Sequence, residues 1–293
     1  MRSNSNFKSP KNKNSTSPPR LPAPPKNYAF AEDYDTQPMK LLVLLSSMEP
    51  DTRHLYYDVK NHILMYEFFQ KFYSFKAIVF SNSTNVIEFC REHNVTVISD
   101  YLRNPYNMPY LRDLFLQAFH LKKALYYGYI NGDIVLSPAI FELLNEHEIA
   151  GRVVNSRYRQ VMDPSTKESY RAFLYACEKK GRLRHFNSAD YFVFPRTFPF
   201  EKMKDVVIGR AKIDNYLMAL MYRMHGYLID STYRVLGIHL GMYGYFDKEV
   251  IDPQEREDKN WNKLYSPNIK RSHASLEFAK WRVPAITNGV DWH

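Results

Sequence analysis

Short apolar runs alternate with amphipathic stretches over the first half of the folded part of the chain. The runs have the length and composition of buried strands, and the stretches between them repeat apolar residues at the spacing of a helix face. Strands are predicted over residues 39–45, 76–80 and 95–98 and at the start of an apolar segment at 127–136, and helices over 59–72, 85–93 and 109–126. This alternation is typical of a mostly parallel sheet covered by helices on both faces.

The second half of the chain is less regular but contains the same two kinds of element. The pattern predicts helices over 166–180 and 214–225, and strands over 191–194, 227–229 and 235–238. Glycine follows each of these helices, as is common where a helix ends. We therefore predict an α/β protein with a mostly parallel, twisted sheet. It forms a single domain from residue 38, with halves at 38–150 and 151–251 and a C-terminal extension at 252–293.

Positive charge is concentrated near the N-terminus. The 293 residues have a formal net charge of +9, and residues 1–26 contribute six basic residues, six prolines and no acid. The rest of the chain therefore carries only +3, so we expect no nucleic-acid partner for the folded part. Residues 1–37 contain little to bury and are predicted to be a disordered basic tail rich in Pro, Ser and Asn.

Signals for membranes, secretion and cysteine chemistry are weak. No apolar run approaches the roughly 18 residues that a membrane span needs, and no apolar stretch follows the basic N-terminus as in a signal peptide. We expect a soluble chain without a transmembrane segment. The compartment stays open: cytoplasmic by default, or the secretory-pathway lumen if an anchor is missing from this chain. Cys90 and Cys177 are too few for a disulfide scaffold or a thiolate zinc site.

Common signatures of nucleotide and metal binding are also missing. The chain contains no G-x-G fingerprint, P-loop, C-x-x-C pair, H-E-x-x-H motif or G-x-S-x-G turn. A nucleotide ligand would therefore need a carboxylate and a divalent cation, Mn²⁺ or Mg²⁺, to hold its phosphates.

Polar residues follow three of the predicted strands, at the sheet edge where α/β proteins bind ligands. Ser46 and Asp100 follow the first and third strands, and Asn131-Gly132-Asp133 follows the strand that begins at 127. An acid beside a flexible glycine can bind a hard cation that bridges the two phosphates of a nucleotide sugar. The same triplet is a common turn, and that alternative stays open.

Short polar motifs recur in the second half of the chain. They are Asp190 before a strand, Arg210, Asp214-Asn215 at the start of a helix that ends at His225-Gly226, and His239 at the end of the last strand. In this order and spacing, the chain from about 39 to 245 resembles the nucleotide-diphospho-sugar transferases of the GT-A fold, with the layout of inverting glycosyltransferase family 2. The resemblance implies a nucleotide-binding half at 38–150 and an acceptor-binding half at 151–251.

The resemblance also implies a role for each of these positions. Asp133 corresponds to the metal-binding acid of the family's D-x-D element, with Asn131 at the place of the first acid. His239 corresponds to a second ligand of the same cation. Asp214 corresponds to the general base that takes the proton of the acceptor hydroxyl. From the residues alone, Asp214 can equally be a helix N-cap, and His239 a core histidine.

Other residues are candidates for contacts to the substrates. Guanidinium groups bind oxyanions through paired N–H groups, which makes Arg210 a candidate for offsetting charge in catalysis and Arg112 and Arg157 candidates for phosphate binding. Surface ion pairs are the alternative for all three. Ser46 and Asp100 are candidates for ribose or base contacts. Candidates for acceptor binding are Asp190, Tyr191 and Asn215.

The predicted function is the metal-dependent transfer of a sugar from a nucleotide-diphosphate donor, UDP-linked, to a hydroxyl group of a glycan, protein or small molecule. The family resemblance implies a single displacement that inverts the anomeric carbon. Two alternatives stay open. One is a nucleotidyltransferase on a related sheet, which the missing glycine-rich loop disfavours. The other is a catalytically inactive binding module, which the amides at Asn131 and Asn215 favour.

Overall fold

The computed structural model of the protein describes residues 28–48, 56–144, 148–209, 212–241, 261–265, 270 and 273–284. Two sheets and six α-helices make up most of this part of the chain. None of the helices within these ranges combines the length and the apolar character that a membrane crossing requires.

The first half of the chain alternates strands and helices, as the hydrophobic pattern predicts. The elements are β1 (Lys40–Ser47), α1 (Tyr57–Phe72), β2 (Phe75–Phe80), α2 (Thr84–Glu92), β3 (Thr96–Ile98), α3 (Leu111–Leu121), β4 (Ala124–Ile130) and β5 (Ile134–Leu136). The predicted helix 109–126 ends five residues early, because residues 124–130 pair with strands on both sides. Leu125, expected to face the core, is 48% exposed in β4.

The second half combines short strands with two longer helices. The elements are α4 (Ile140–Leu143), β6 (Ile149–Gly151), β7 (Val154–Ser156), α5 (Lys167–Lys179), β8 (Gly181–Leu183), β9 (Tyr191–Pro195), α6 (Ile213–His225), β10 (Ile229–Asp230), β11 (Gly237–His239) and β12 (Trp281–Arg282), with 3₁₀ turns at Phe200–Lys202 and Leu276–Phe278. Thr166 caps α5, and Gly226 ends α6 in the left-handed conformation with φ of 75°. Both ends agree with the sequence prediction.

The main sheet has eight strands in the order β12-β10-β6-β9-β4-β1-β2-β3. All neighbouring pairs are parallel except those of β9, which runs antiparallel to both β4 and β6. The α/β class and the mostly parallel sheet are therefore confirmed. Because β9 is reversed, its first residues lie at the same edge as the carboxyl ends of β4, β6 and β10.

Helices cover both faces of this sheet and enclose two hydrophobic cores. One core, with Ile63 and Phe69 of α1, also contains residues of α2 and α5. The other core, with Phe115 of α3 and Leu217 of α6, lies on the opposite face. Cys90 and Cys177 are buried with free thiols, and burial raises the pKa of each thiol to about 12.

A second sheet of four strands, in the order β5-β11-β7-β8, lies beside the main one. The chain passes from the main sheet to this small sheet between β4 and β5, at Asn131-Gly132-Asp133. β11 pairs antiparallel with β5, and His239 lies opposite Ile134 in that pairing. The small sheet therefore brings the end of β11 to the start of β5.

Residues 28–37, which the sequence assigned to the disordered tail, pack against helix α3. Tyr34 is 5% exposed, and the ring of Phe30 lies 4.4 Å from that of His120. The side-chain oxygen of Gln37 accepts a hydrogen bond from the backbone of Lys123. These aromatic contacts place residues 28–37 in the folded domain, whereas residues 1–27 lie outside the described part of the chain.

Candidate functional site

The turn Asn131-Gly132-Asp133 lies at the carboxyl end of β4, as predicted. The backbone N–H of Ile134 donates to the carbonyl of Asn131 at 3.1 Å and closes the turn. A Cβ on Gly132 would lie 2.7 Å from the side chain of Met48, which follows β1. A larger residue at 132 would displace the Met48 side chain. Glycine therefore lets the turn pack against Met48, with Asp133 at the sheet edge.

Asp133 and His239 form a pair at this edge. Their Oδ2 and Nε2 atoms are 3.1 Å apart, and the two side chains are 31% and 20% exposed. The backbone N–H of Leu240 donates to the carbonyl of Asp133 at 2.9 Å. A Cβ on Gly241 would lie 2.3 Å from the Asp133 carboxylate, so only a residue without a side chain fits there.

The electrostatics of this pair favour its ionised form. Burial alone would raise the pKa of Asp133, but the hydrogen bond and charge of His239 outweigh it and hold that pKa below its ordinary value. Burial alone would lower the pKa of His239, but the hydrogen bond and charge of Asp133 raise it overall. Nδ1 of His239 is buried and has no hydrogen-bond partner among the described residues.

Asn131 connects this pair to a second carboxylate, that of Asp190. The Tyr129 hydroxyl donates to Oδ1 of Asn131 at 2.9 Å, and Nδ2 of Asn131 lies 3.4 Å from Oδ1 of Asp190. Burial raises the pKa of Tyr129 well above its ordinary value, and the charges of Asp133 and two further acids, Asp214 and Asp190, add to the effect. The charges of three carboxyl groups therefore act on one buried hydroxyl.

Asp190 is itself paired with an arginine that the sequence reasoning missed. Nη1 of Arg184 donates to Oδ1 of Asp190 at 2.5 Å, and the two side chains are 25% and 3% exposed. Burial raises the pKa of Asp190 despite the opposing charge of Arg184. Oδ2 of Asp190 is buried without a hydrogen-bond partner in the described part of the chain. The structure places Asp190 beside Asn131 and Arg184, and its contact with an acceptor stays a prediction.

Asp214 lies in the first turn of α6 and faces the same cluster. The N-cap of α6 is Lys212, in the left-handed conformation with φ of 78°, so the alternative that Asp214 is the N-cap is wrong. Burial and the neighbouring charge of Asp190 raise the pKa of Asp214 to about 8. The carboxylate form, which can accept a proton, therefore becomes the main form only above about pH 8.

Buried polar groups connect β1 and β5 next to the site by hydrogen bonds. Nδ1 of His62 donates to the carbonyl of Ile134 at 2.6 Å, so Nε2, at 3.1 Å, accepts from the Ser46 hydroxyl. Ser46 and His62 are both fully buried. The prediction that Ser46 contacts the nucleotide is therefore wrong: its hydroxyl is enclosed and supports β5 through His62. The sequence contains no local signal for this role of His62, which is one of several polar residues on helix α1.

His62 makes the stability of the fold depend on pH. Burial lowers the pKa of His62 to about 4, below the ordinary value of 6.5, so the unfolded chain binds its proton more readily than the folded one. The free energy of unfolding should therefore rise from pH 4 to 6.5, by at most about 1.4 kcal/mol per pH unit from this residue.

Urea unfolding of the wild type and of His62→Gln at several pH values measures this effect. We expect His62→Gln to show a smaller dependence on pH, and to be less stable at pH 7 by about 1–3 kcal/mol because polar partners lose their hydrogen bonds. The exposed His185, changed to Gln, is the control. An unchanged pH dependence in His62→Gln would contradict the role of His62.

Two residues predicted to bind the acceptor have structural contacts instead. Tyr191 is fully buried, with its hydroxyl 2.9 Å from Oγ of Ser231. The prediction that it contacts the acceptor is wrong, because β9 turns this ring into the core. Nδ2 of Asn215 donates to the carbonyl of Ala274 at 2.8 Å and ties α6 to the C-terminal segment.

Three residues predicted to bind the donor or its phosphates lie outside this cluster. Arg112 is paired with Asp205, as in the surface ion-pair alternative. Asp100 and Arg157 are exposed after β3 and β7, and their nucleotide contacts stay predictions. Arg210 lies outside the described residues.

No protein-family model matches the chain, and no curated protein matches it. Among solved structures, it is similar to the inositol-1-phosphate CTP transferase from T. maritima, with 12% identity and a TM-score of 0.37 over 77% of this chain and 96% of that one. It is also similar to 4-diphosphocytidyl-2C-methyl-D-erythritolsynthase from Anaerococcus prevotii DSM 20548, with 8% identity and a TM-score of 0.34 over 78% and 99% of the two chains.

A third similar structure is S. aureus TarS, with 11% identity and a TM-score of 0.33. The match covers 69% of this chain and 35% of that one. All three similarities are weak, so the chemistry proposed below rests on the residues of the site.

Proposed function

We propose that the protein transfers a sugar from a nucleotide-diphosphate donor, UDP-linked, to a hydroxyl acceptor. The observation that supports this most directly is the meeting of the Asp133–His239 pair with Asp190 and Asp214 at one edge of the sheet. The Asp133–His239 pair can bind a cation and diphosphate, and Asp214 supplies a carboxylate for proton transfer. Together they supply the two functions of a cation-dependent single displacement, which are diphosphate binding and removal of the acceptor proton.

The Asp133–His239 pair fits a divalent cation such as Mn²⁺ or Mg²⁺. Neighbouring ligands of an octahedral ion, each about 2.1 Å from it, are about 3.0 Å apart. The Oδ2 and Nε2 atoms of the pair are 3.1 Å apart. No cluster of three or more potential ligands occurs within the described ranges, so phosphate oxygens and water would complete the coordination. When bound, the cation would stabilise the charge on the departing diphosphate.

Asp214 is proposed as the general base. It accepts the proton of the acceptor hydroxyl as that oxygen attacks the anomeric carbon and the bond to the diphosphate breaks. Asp190, held by Arg184 and Asn131, keeps negative charge beside Asp214 and thereby favours its protonated form in the free protein. A single displacement of this kind inverts the anomeric carbon.

The experiment that tests this proposal begins with thermal melting in the presence of UDP, GDP or CDP, each with and without Mn²⁺. We expect UDP with Mn²⁺ to stabilise the protein most. UDP release from UDP-glucose, UDP-galactose and UDP-N-acetylglucosamine is then measured, and the anomeric configuration of any product is determined by NMR.

Three results would contradict the proposal. Pyrophosphate release from CTP and a sugar phosphate would indicate a nucleotidyltransferase. The lack of any nucleotide effect on melting would favour an inactive binding module. A product that retains the anomeric configuration would exclude Asp214 as the base of a single displacement.

A further inference from the structure

An exposed tyrosine lies on a rigid turn at the same sheet edge as the candidate site. Tyr233 follows β10, whose carboxyl end is at this edge, and is 52% exposed. The turn is held by the fully buried Asp230, which accepts hydrogen bonds from the backbone and hydroxyl of Thr232. The backbone of Val235 donates to the carbonyl of Ser231 at 2.9 Å. These hydrogen bonds define the backbone conformation of the turn that carries Tyr233.

A buried arginine holds this ring by its hydroxyl end. Nη2 of Arg152 lies 3.3 Å from the Tyr233 hydroxyl, and its guanidinium carbon lies 3.9 Å from the ring centre of Phe186. Arg152 is only 4% exposed, and its Nε has no hydrogen-bond partner in the described part of the chain. Tyr233 remains 52% exposed although Arg152 contacts its hydroxyl and has its guanidinium carbon 5.7 Å from the ring centre.

The same arginine connects Tyr233 to the carboxylates of the candidate site. Nη1 of Arg152 donates to the carbonyl of Arg184 at 3.3 Å, and the side chain of Arg184 donates to Asp190. Three contacts, through Arg152 and Arg184, thus connect Tyr233 to Asp190. Arg184, whose side chain is 25% exposed, lies between Arg152 and the buried Asp190 in this series of contacts.

We infer that Tyr233 is the platform for a sugar ring of the acceptor, a use that rests on the proposed glycosyl transfer. One face of a pyranose ring consists of C–H groups and packs against aromatic carbons, while its hydroxyl groups need charged or polar partners. Tyr233 supplies the aromatic surface, and the partly exposed guanidinium of Arg184 supplies polar N–H groups. A sugar bound here extends from the ring of Tyr233 toward Asp190, where a hydroxyl group of the acceptor would react.

The test is saturation-transfer NMR with methyl glycosides of β-glucose, β-galactose, β-N-acetylglucosamine and α-mannose. We expect at least one to bind the wild type, with the strongest saturation on ring C–H protons. Tyr233→Phe should bind as the wild type, and Tyr233→Ala at least about tenfold more weakly. Tyr175, which is 50% exposed on α5, provides the matched control Tyr175→Ala.

The outcomes separate this inference from the proposed function. Binding of the same glycoside to Tyr233→Ala and wild type, or to neither, would overturn the platform, even if UDP with Mn²⁺ still raises the melting temperature. Tyr233-dependent glycoside binding without any effect of UDP would support a sugar site and contradict the transferase. An unchanged melting temperature and UDP effect in Tyr233→Ala show that the variant is folded.

Discussion

Replacing Asp214 with Asn is expected to lower the turnover of glycosyl transfer by about 10²–10⁴-fold, the usual contribution of a general base. The amide keeps the shape of the side chain but cannot accept the acceptor proton. Stabilisation by UDP and Mn²⁺ should remain, because Asp214 is proposed to act on the acceptor. Initial rates with a UDP-sugar and melting curves with UDP measure the two effects separately.

The raised pKa of Asp214 adds two expectations. The kcat/KM of the wild type should rise with pH toward about 8, where the free carboxyl group ionises. Its pKa is higher in the folded protein than the ordinary 3.8, so its contribution to stability is complete below pH 3.8 and is lost as pH rises through 8. Asp214→Asn should therefore be more stable than the wild type at pH 8–9, by about 1–2 kcal/mol.

A control variant shows whether these effects are specific to the site. Asp163 is exposed in the loop before α5, and Asp163→Asn should keep both the turnover and the pH profile of the wild type. Turnover of Asp214→Asn within a few-fold of the wild type would mean that another group takes the proton.

Replacing Asp133 with Ala is expected to abolish the Mn²⁺-dependent effect of UDP on melting. A ligand at a hundredfold over its dissociation constant stabilises a protein by about 2.7 kcal/mol, which is roughly 5–10 °C in melting temperature for a chain of this size. Without the carboxylate, His239 is the remaining member of the pair, and the cation loses its charged protein ligand. Glycosyl transfer should fall with donor binding.

Asp163→Ala serves as the matched comparison, and melting without nucleotide reports on folding of both variants. If Asp133→Ala keeps the full effect of UDP with Mn²⁺, the donor binds elsewhere. If the wild type responds equally to UDP with and without Mn²⁺, the site binds the diphosphate without a cation, and the ionised His239 is the group to test next.

Much of the fold could be predicted from the sequence, because the spacing of apolar residues reflects the local choice between helix and strand. This spacing placed α1, α2, α5, α6 and the first three strands close to their observed bounds. The sequence also placed Asn131-Gly132-Asp133 after a strand and His239 at the end of another. It could not place the end of α3, because residues 122–126 fit both patterns and only pairing with β1 and β9 decides between them.

The candidate site was predicted only in part, because its contacts join residues far apart in the chain. Order and spacing indicated Asp133, Asp190, Asp214 and His239, but burial decided against Ser46 and Tyr191. The sequence around Ser46 and Tyr191 does not show that these side chains, at strand ends, point into the core. Arg184 is only six residues from Asp190, but no motif marks the pair. Asn131 approaches Asp190 only when β4 and β9 lie side by side.

By itself, the sequence determined the alternation of strands and helices, the position of the glycine turn and the acids available for chemistry, since these depend on neighbours in the chain. The tertiary structure alone decided which acids meet and how they are charged. β11 must pair with β5 in a second sheet before His239 reaches Asp133. The pKa of Asp214 rises to about 8 only in the folded chain, because folding removes water from its carboxyl group and brings the charge of Asp190 next to it.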